Sequence, residues 1–252
     1  MRQLRSLAFS VAFPVWTAIC CLVLAFGPFL SRQGALAMAM FWVKSVAWVE
    51  RNVLGLDYRV IGRENLPSQG AFIVAAKHQS TFETTKLHLI LHDPAIVLKR
   101  ELLKIPIWGR YLQKTGMIPI DRGAGRRAVG RMVSASQKAK SEGRPIVIFP
   151  QGTRVPAGEK RSYKQGVIAL YQDLELPIVP LALNSGLFWP KKGRKHGGIV
   201  TFSFLPPIPP GLNPQEVMAT LETRLEAETD RLIASMPDRP PSVLHMQEAS
   251  HS

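Results

Sequence analysis

From Ser6 to Ser31 the chain carries no charged residue, with Arg2 and Arg5 before the run and Arg32 after it. As a helix, about 25 residues at roughly 1.5 Å each exceed the roughly 30 Å hydrocarbon core of a bilayer. A secretory signal has a shorter apolar stretch and a small-residue cleavage site. Ala35-Leu36-Ala37 stands just beyond Arg32, so cleavage stays open as the lesser alternative. Pro14 and the Gly27-Pro28 pair are candidate helix breaks, which leaves a re-entrant form beside a clean span. A second apolar segment, Gly34 to Val49, is interrupted by Lys44 and holds Trp42 and Trp48. Tryptophan at headgroup level and a snorkelling lysine suit a helix lying in the interface. Residues 1–52 therefore read as a membrane-embedded or interfacial helix pair, its orientation left open by arginine at both ends.

The remainder alternates short apolar runs with helical spacing. Tyr58–Ile61, Ala71–Ala76, Ala95–Leu98, Met117–Ile120, Pro145–Phe149, Pro177–Leu183 and Ile199–Phe204 read as strands. Helical stretches lie over Thr84–His92, around Leu102–Leu112 broken at Pro106, and over Ala124–Ser141, Gln165–Leu174 and a final segment from Asn213. That last helix has a capping Asn213, Pro214 in its first turn and Glu216. The alternation predicts an α/β fold, a mostly parallel sheet flanked by helices over residues 53–235, with the membrane-associated pair in front. From residue 236 to 252 the chain is polar and Pro-bearing and reads as a disordered tail.

Charge narrows the partners. The net charge of +14 calls for something anionic. Between Lys99 and Lys164 lie 16 of the 32 Lys and Arg but only 4 of the 18 Asp and Glu, so this third carries +12. Few aromatic residues interleave there and no nucleic-acid motif appears, so the expected partners are membrane lipids and phosphorylated substrates and not nucleic acid. The two cysteines, Cys20 and Cys21, are adjacent within the apolar run, and no Cys/His spacing suggests a metal.

In parallel sheets, sites gather at the carboxyl ends of strands. His78, Lys99, Arg122 and Arg154 each follow an expected strand. His78 can accept a proton near neutral pH, and Glu83, five residues on, can fix the tautomer from the other ring nitrogen. Taken alone, the pair reads more simply as a loop histidine beside a helix N-terminal glutamate. Their placement with several cations points to a base, its orienter and an anion site around one cleft. Gly152 would let backbone approach a substrate, and amides beside it could bind an oxyanion.

The segment Lys77-His78-Gln79-Ser80-Thr81-Phe82-Glu83 resembles the Asn-His-x4-Asp motif of the glycerolipid acyltransferases, the 1-acyl-sn-glycerol-3-phosphate acyltransferase family. Gly116-Met117-Ile118-Pro119-Ile120-Asp121-Arg122, Phe149-Pro150-Gln151-Gly152-Thr153-Arg154 and Ile178-Val179-Pro180-Leu181-Ala182-Leu183-Asn184 resemble its three further blocks, in order. The resemblance implies acyl transfer from acyl-CoA or acyl carrier protein to the sn-2 hydroxyl of lysophosphatidic acid, giving phosphatidic acid. It implies His78 as base and Glu83 as its orienting acid, with no metal, no cofactor and no covalent acyl-enzyme. Arg122, Gln151, Gly152, Thr153 and Arg154 match acceptor-binding positions, and Lys99 a phosphate-contacting lysine. The expected location is a bacterial inner membrane with the catalytic domain facing the cytoplasm.

Three departures stand out. Glu83 replaces the usual Asp, Gln151 the usual Glu, and Lys77 the usual Asn, which would set a charge beside the base and lower its pKa. Two rival readings remain: an acyltransferase for another lyso-lipid such as lyso-ornithine lipid, and a basic membrane-surface binding protein without catalysis.

Overall fold

A computed structural model describes residues 2–26, 29–121 and 125–236. The fully apolar runs β2 (Ile73–Ala76), β5 (Ile146–Ile148) and β6 (Ile178–Leu183) are buried at every position, as expected for strands covered on both faces. With β3 (Ala95–Lys99) and β4 (Ile118–Ile120) they form five parallel strands in the order β6-β2-β5-β3-β4. Beyond β6 the sheet continues through β7 (Gly198–Phe204) to β1 (Leu56–Ile61), seven strands in all among the described residues. β7 runs antiparallel to β6, and β1 parallel to β7. No helix of crossover length separates β6 from β7, so the chain returns antiparallel.

Side chains alternate across this sheet. Val74, Ala76 and Val147 pack towards Phe82 and Leu87 of α3 (Phe82–Ile90) and Phe9 of α1 (Arg2–Leu24). Ile73, Ala75, Ile146 and Ile148 pack on the opposite face, against α5 (Gly125–Ser141), α6 (Gly166–Leu174) and α7 (Pro214–Ala234). In α5, Ala128, Met132, Val133 and Ala139 face the sheet while Arg126, Arg127 and Arg131 are exposed. The expected mostly parallel α/β architecture is what the chain adopts. The expected tail lies outside the described residues, apart from Met236.

The two N-terminal helices form a hairpin. α1 continues through Pro14 and is long and apolar enough, over Gln3–Leu22, to cross a membrane. Gly27-Pro28 lies outside the described residues. α2 (Arg32–Val49) begins at Ser31, whose hydroxyl accepts from the Gly34 amide at 3.2 Å. α1 is tied to the domain towards both ends. Phe9 meets Trp189 edge-on at 5.3 Å, and the Leu24 carbonyl accepts from the Tyr111 hydroxyl at 2.7 Å. Its other face is a row of exposed side chains, Leu4, Leu7, Val11, Val15, Ile19 and Leu22.

A single π-helical turn, Glu50–Leu54, joins the hairpin to β1. Glu50 pairs there with Lys86 of α3, both almost without exposure. Burial raises the Glu50 carboxyl to about 7, against the opposing pull of Lys86. Between about pH 4.5 and 7 the folded chain therefore holds a proton that the unfolded chain has released. Stability falls as pH rises through that window, by up to roughly 3 kcal/mol from this group. Glu50→Gln is expected to remove this part of the slope, read from thermal midpoints across the window.

Candidate active site

β2 ends in the loop that carries His78. Successive residues point to opposite faces of a strand, so Lys77 and His78 part company at once. His78 turns to the α3 face, and its carbonyl accepts from the Val155 amide at 2.8 Å. Its ring stacks on Phe149, just beyond β5, with centroids 4.2 Å apart and planes 24° apart. Its Nδ1 lies 2.8 Å from Oε1 of Glu83 in the first turn of α3.

Glu83 is fully buried and surrounded by donors. Oε1 also accepts the amides of Gln79 at 2.8 Å and Ser80 at 2.7 Å, and Oε2 accepts the Ser185 hydroxyl at 2.7 Å. With three other donors around it, the carboxylate meets the imidazole as the acceptor of Nδ1–H. The lone pair is then on Nε2, the arrangement a general base needs. The extra methylene of Glu relative to Asp is absorbed by this donor nest, and the carboxylate still reaches the ring nitrogen.

Lys77 overturns the expectation of a charge beside the base. Its ammonium is on the opposite face, 2.7 and 2.9 Å from the two carboxylate oxygens of Glu226 in α7. The Tyr163 hydroxyl donates to the same carboxylate at 2.8 Å.

A cavity of about 400 Å³ opens beside His78. One end is polar, with His78, Thr81, Lys99 and Arg154 in its wall. Elsewhere the wall is mostly apolar, with Met40, Val43 and Leu112 of α2 and α4 (Trp108–Lys114) and side chains of β3, interrupted by Thr84, Thr85, His88 and Thr115. Trp42 and Trp108 meet edge-on at 4.6 Å in the same wall. Arg154 donates to Thr81 Oγ1 at 3.1 Å, which brings the loop after β5 against the loop after β2. Lys99 is half-exposed and 3.3 Å from Glu101.

The remaining expected site residues divide. Gly152 adopts φ +67, a left-handed conformation open to glycine, and its amide closes a turn onto the Phe149 carbonyl at 2.9 Å. Its N–H is thus committed, whereas the amides of Thr153 and Arg154 donate to no described residue. Gln151 does not line the cavity. It is buried, and both atoms of its amide lack a partner among the described residues. Arg122 lies outside the described residues. Sequence reasoning did not single out Ser185 as a holder of Glu83 or Phe149 as a platform under the His78 ring, although Phe149 opens a quoted motif and Ser185 directly follows one. No described group of His, Cys, Asp and Glu is arranged to hold a metal ion.

A family model described as acyltransferase matches residues 57–184, from the second residue of β1 to just past the end of β6. The chain belongs to the acyltransferase family. Within it, a protein of Pseudomonas aeruginosa named 1-acyl-sn-glycerol-3-phosphate acyltransferase is 31% identical over 223 residues, 88% of this chain and 86% of that one. A Saccharomyces cerevisiae protein of the same name is 32% identical over 64% of this chain, and the match spans 54% of its own length. The human alpha form is 30% identical over 66% of this chain and 60% of its own. This acyltransferase also shares its fold with the crystal structure of the 1-acyl-sn-glycerophosphate (LPA) acyltransferase of Thermotoga maritima. The TM-score is 0.73 at 23% identity, covering 94% of this chain and 98% of that one.

Proposed function

We propose that this acyltransferase moves a fatty acyl group from a thioester, acyl-CoA or acyl carrier protein, to the sn-2 hydroxyl of lysophosphatidic acid, giving phosphatidic acid. The names of the relatives support the acceptor. The observation that carries the chemistry is the Glu83-held His78 in the wall of a largely apolar cavity. The acyl chain lies in the cavity, and its thioester carbonyl rests near His78. Nε2 takes the proton of the acceptor hydroxyl as the oxygen bonds to the carbonyl carbon. The amides of Thr153 and Arg154, which donate to no described residue, are suited to receive the negative oxygen that results. Collapse breaks the carbon–sulfur bond, and the imidazolium returns its proton to the thiolate. No covalent acyl-enzyme forms. Glu83 stabilises the imidazolium, and Arg154, Lys99 and Arg122 bind the phosphate of the acceptor.

The hairpin sets the enzyme on a membrane. With one face of α1 held to the domain and the other a row of apolar side chains, the helix lies along the bilayer surface. The reading places it at a bacterial inner membrane with the catalytic domain on the cytoplasmic side. Leu7→Lys with Val15→Lys is expected to weaken binding to lipid vesicles by at least about tenfold, since each buried aliphatic side chain contributes roughly 1.5–3 kcal/mol. Unchanged co-sedimentation with vesicles would remove this orientation.

The deciding experiment measures transfer of labelled acyl groups in membranes, with both donors and with lysophosphatidic acid, lyso-ornithine lipid and glycerol-3-phosphate in competition. Lysophosphatidic acid is expected to be acylated most rapidly. Preference for an uncharged or zwitterionic lyso-lipid would reassign the acceptor, and binding without turnover would remove the enzymatic reading.

A further inference from the structure

From Leu176 to Gln215 the chain holds no Asp or Glu, and its cations there, Lys191, Lys192, Arg194 and Lys195, crowd into one loop. The loop leads from Trp189 towards β7. The His196 amide closes its base on the Phe188 carbonyl at 2.7 Å, and the Gly198 amide docks the start of β7 on the Gly55 carbonyl at 2.8 Å. Lys191, Lys192 and Arg194 are exposed, and Lys195 is partly so. None of the four pairs with a carboxylate of a described residue. Like charges gathered in this way repel one another, and an anionic partner relieves that repulsion.

The loop is held against α1. Trp189 meets Phe9 and Phe13 edge-on, with ring centroids 5.3 and 5.5 Å away. The Lys195 ammonium lies 5.3 Å from the centre of the Trp189 ring and 6.0 Å from that of Phe9. Arg5, one turn before Phe9, is exposed as well, and its guanidinium covers Gly55 beside the start of β7. Successive helix positions are about 100° apart, so Arg5 and Phe9 stand to one side of the apolar row that begins Leu4, Leu7 and Val11. A helix lying in a bilayer surface has its apolar face at the acyl boundary and its polar side among the headgroups. With the row in the lipid, Arg5 and the loop cations stand at the level of the phosphates.

We propose that the loop Lys191–Lys195, together with Arg5, is a docking surface for the headgroups of anionic phospholipids. This rests on α1 lying along the bilayer. An acidic protein would match the charge but not the apolar row beside it, whereas an anionic membrane matches both.

The test takes the full chain from detergent into vesicles and reads co-sedimentation with phosphatidylcholine alone and with phosphatidylcholine mixed with phosphatidylglycerol. The unaltered chain is expected to bind the mixed vesicles at least about tenfold more tightly, and added salt should shrink that margin. Each basic side chain near an anionic surface is worth about fivefold in binding. Lys191→Gln with Lys192→Gln and Arg194→Gln is therefore expected to lose most of the margin, with binding to phosphatidylcholine unchanged. Arg126→Gln with Arg127→Gln and Arg131→Gln removes the same charge from α5, on the opposite face of the sheet from α1, and should keep the margin. Equal losses in the two variants would overturn the proposal, because net charge alone would then be the cause. So would equal binding of both vesicles by the unaltered chain, or a loop variant that keeps its full margin. Failure of the α1 reading shows separately, as phosphatidylcholine binding that Leu7→Lys with Val15→Lys does not weaken.

Discussion

Alanine in place of His78 is expected to lower acyl transfer by about a hundred- to ten-thousandfold, the usual worth of a positioned general base. The fold should survive. The ring is stacked on Phe149 at the edge of the cavity, and the backbone at position 78 is fixed by the Val155 amide whatever the side chain. Glu83 loses one donor of four and keeps two amides and a hydroxyl. Vesicle binding, which depends on the outer face of α1, should be unchanged. Glu83→Gln gives a smaller loss, about ten- to a hundredfold. Its amide oxygen can still accept from Nδ1 and both backbone amides, and the Ser185 hydroxyl can rotate to accept from the new NH2 group. What disappears is the negative charge facing the imidazolium. Undiminished turnover in His78→Ala would end the general-base mechanism.

His78 also marks how far sequence alone could reach. The run Ala71–Ala76 followed by polar residues signalled a buried strand ending in a site, and the five-residue spacing to Glu83 signalled the pair. Both depend on local order: the strand runs over Ile73–Ala76, and His78 and Glu83 are in contact. The side chains that complete the site come from far along the chain. Ser185 reaches Glu83 across 102 residues, because β6 lies beside β2 in the sheet. No periodicity reports which strands will be neighbours. The cavity wall is assembled from α2, α3, β3 and α4, and its shape belongs to no single segment. Lys77 shows the opposite error. Proximity in sequence suggested a charge acting on the base, whereas the two-residue period of a strand sends adjacent side chains to opposite faces. Gln151 stands in a motif matched to the acceptor, yet its amide is buried away from the cavity.

Lys77 is expected to be among the most costly residues to replace for stability, although its ammonium lies on the face of the sheet opposite His78. Lys77→Met leaves the Glu226 carboxylate buried with the Tyr163 hydroxyl as its remaining donor in this cluster. Breaking one side of a buried ion pair typically costs about 3–5 kcal/mol. For a chain of this size that lowers the thermal midpoint by roughly 6–20 °C. Asparagine, the usual family residue, is too short to span to Glu226 and should be as harmful in this background. Removing the whole cluster has a different outcome. Lys77→Met with Glu226→Leu and Tyr163→Phe leaves no unpaired charge and no orphaned hydroxyl, and should return the midpoint to near the original value. Turnover in the triple variant then separates two roles for the pair. If the ion pair only offsets its own burial, activity returns with stability, because Leu181 and Val155 still hold the backbone on either side of His78. Restored stability with depressed turnover would mean that tension between β2, the loop carrying Tyr163 and α7 aims the base. An unchanged midpoint in Lys77→Met would show that the buried pair contributes nothing to folding.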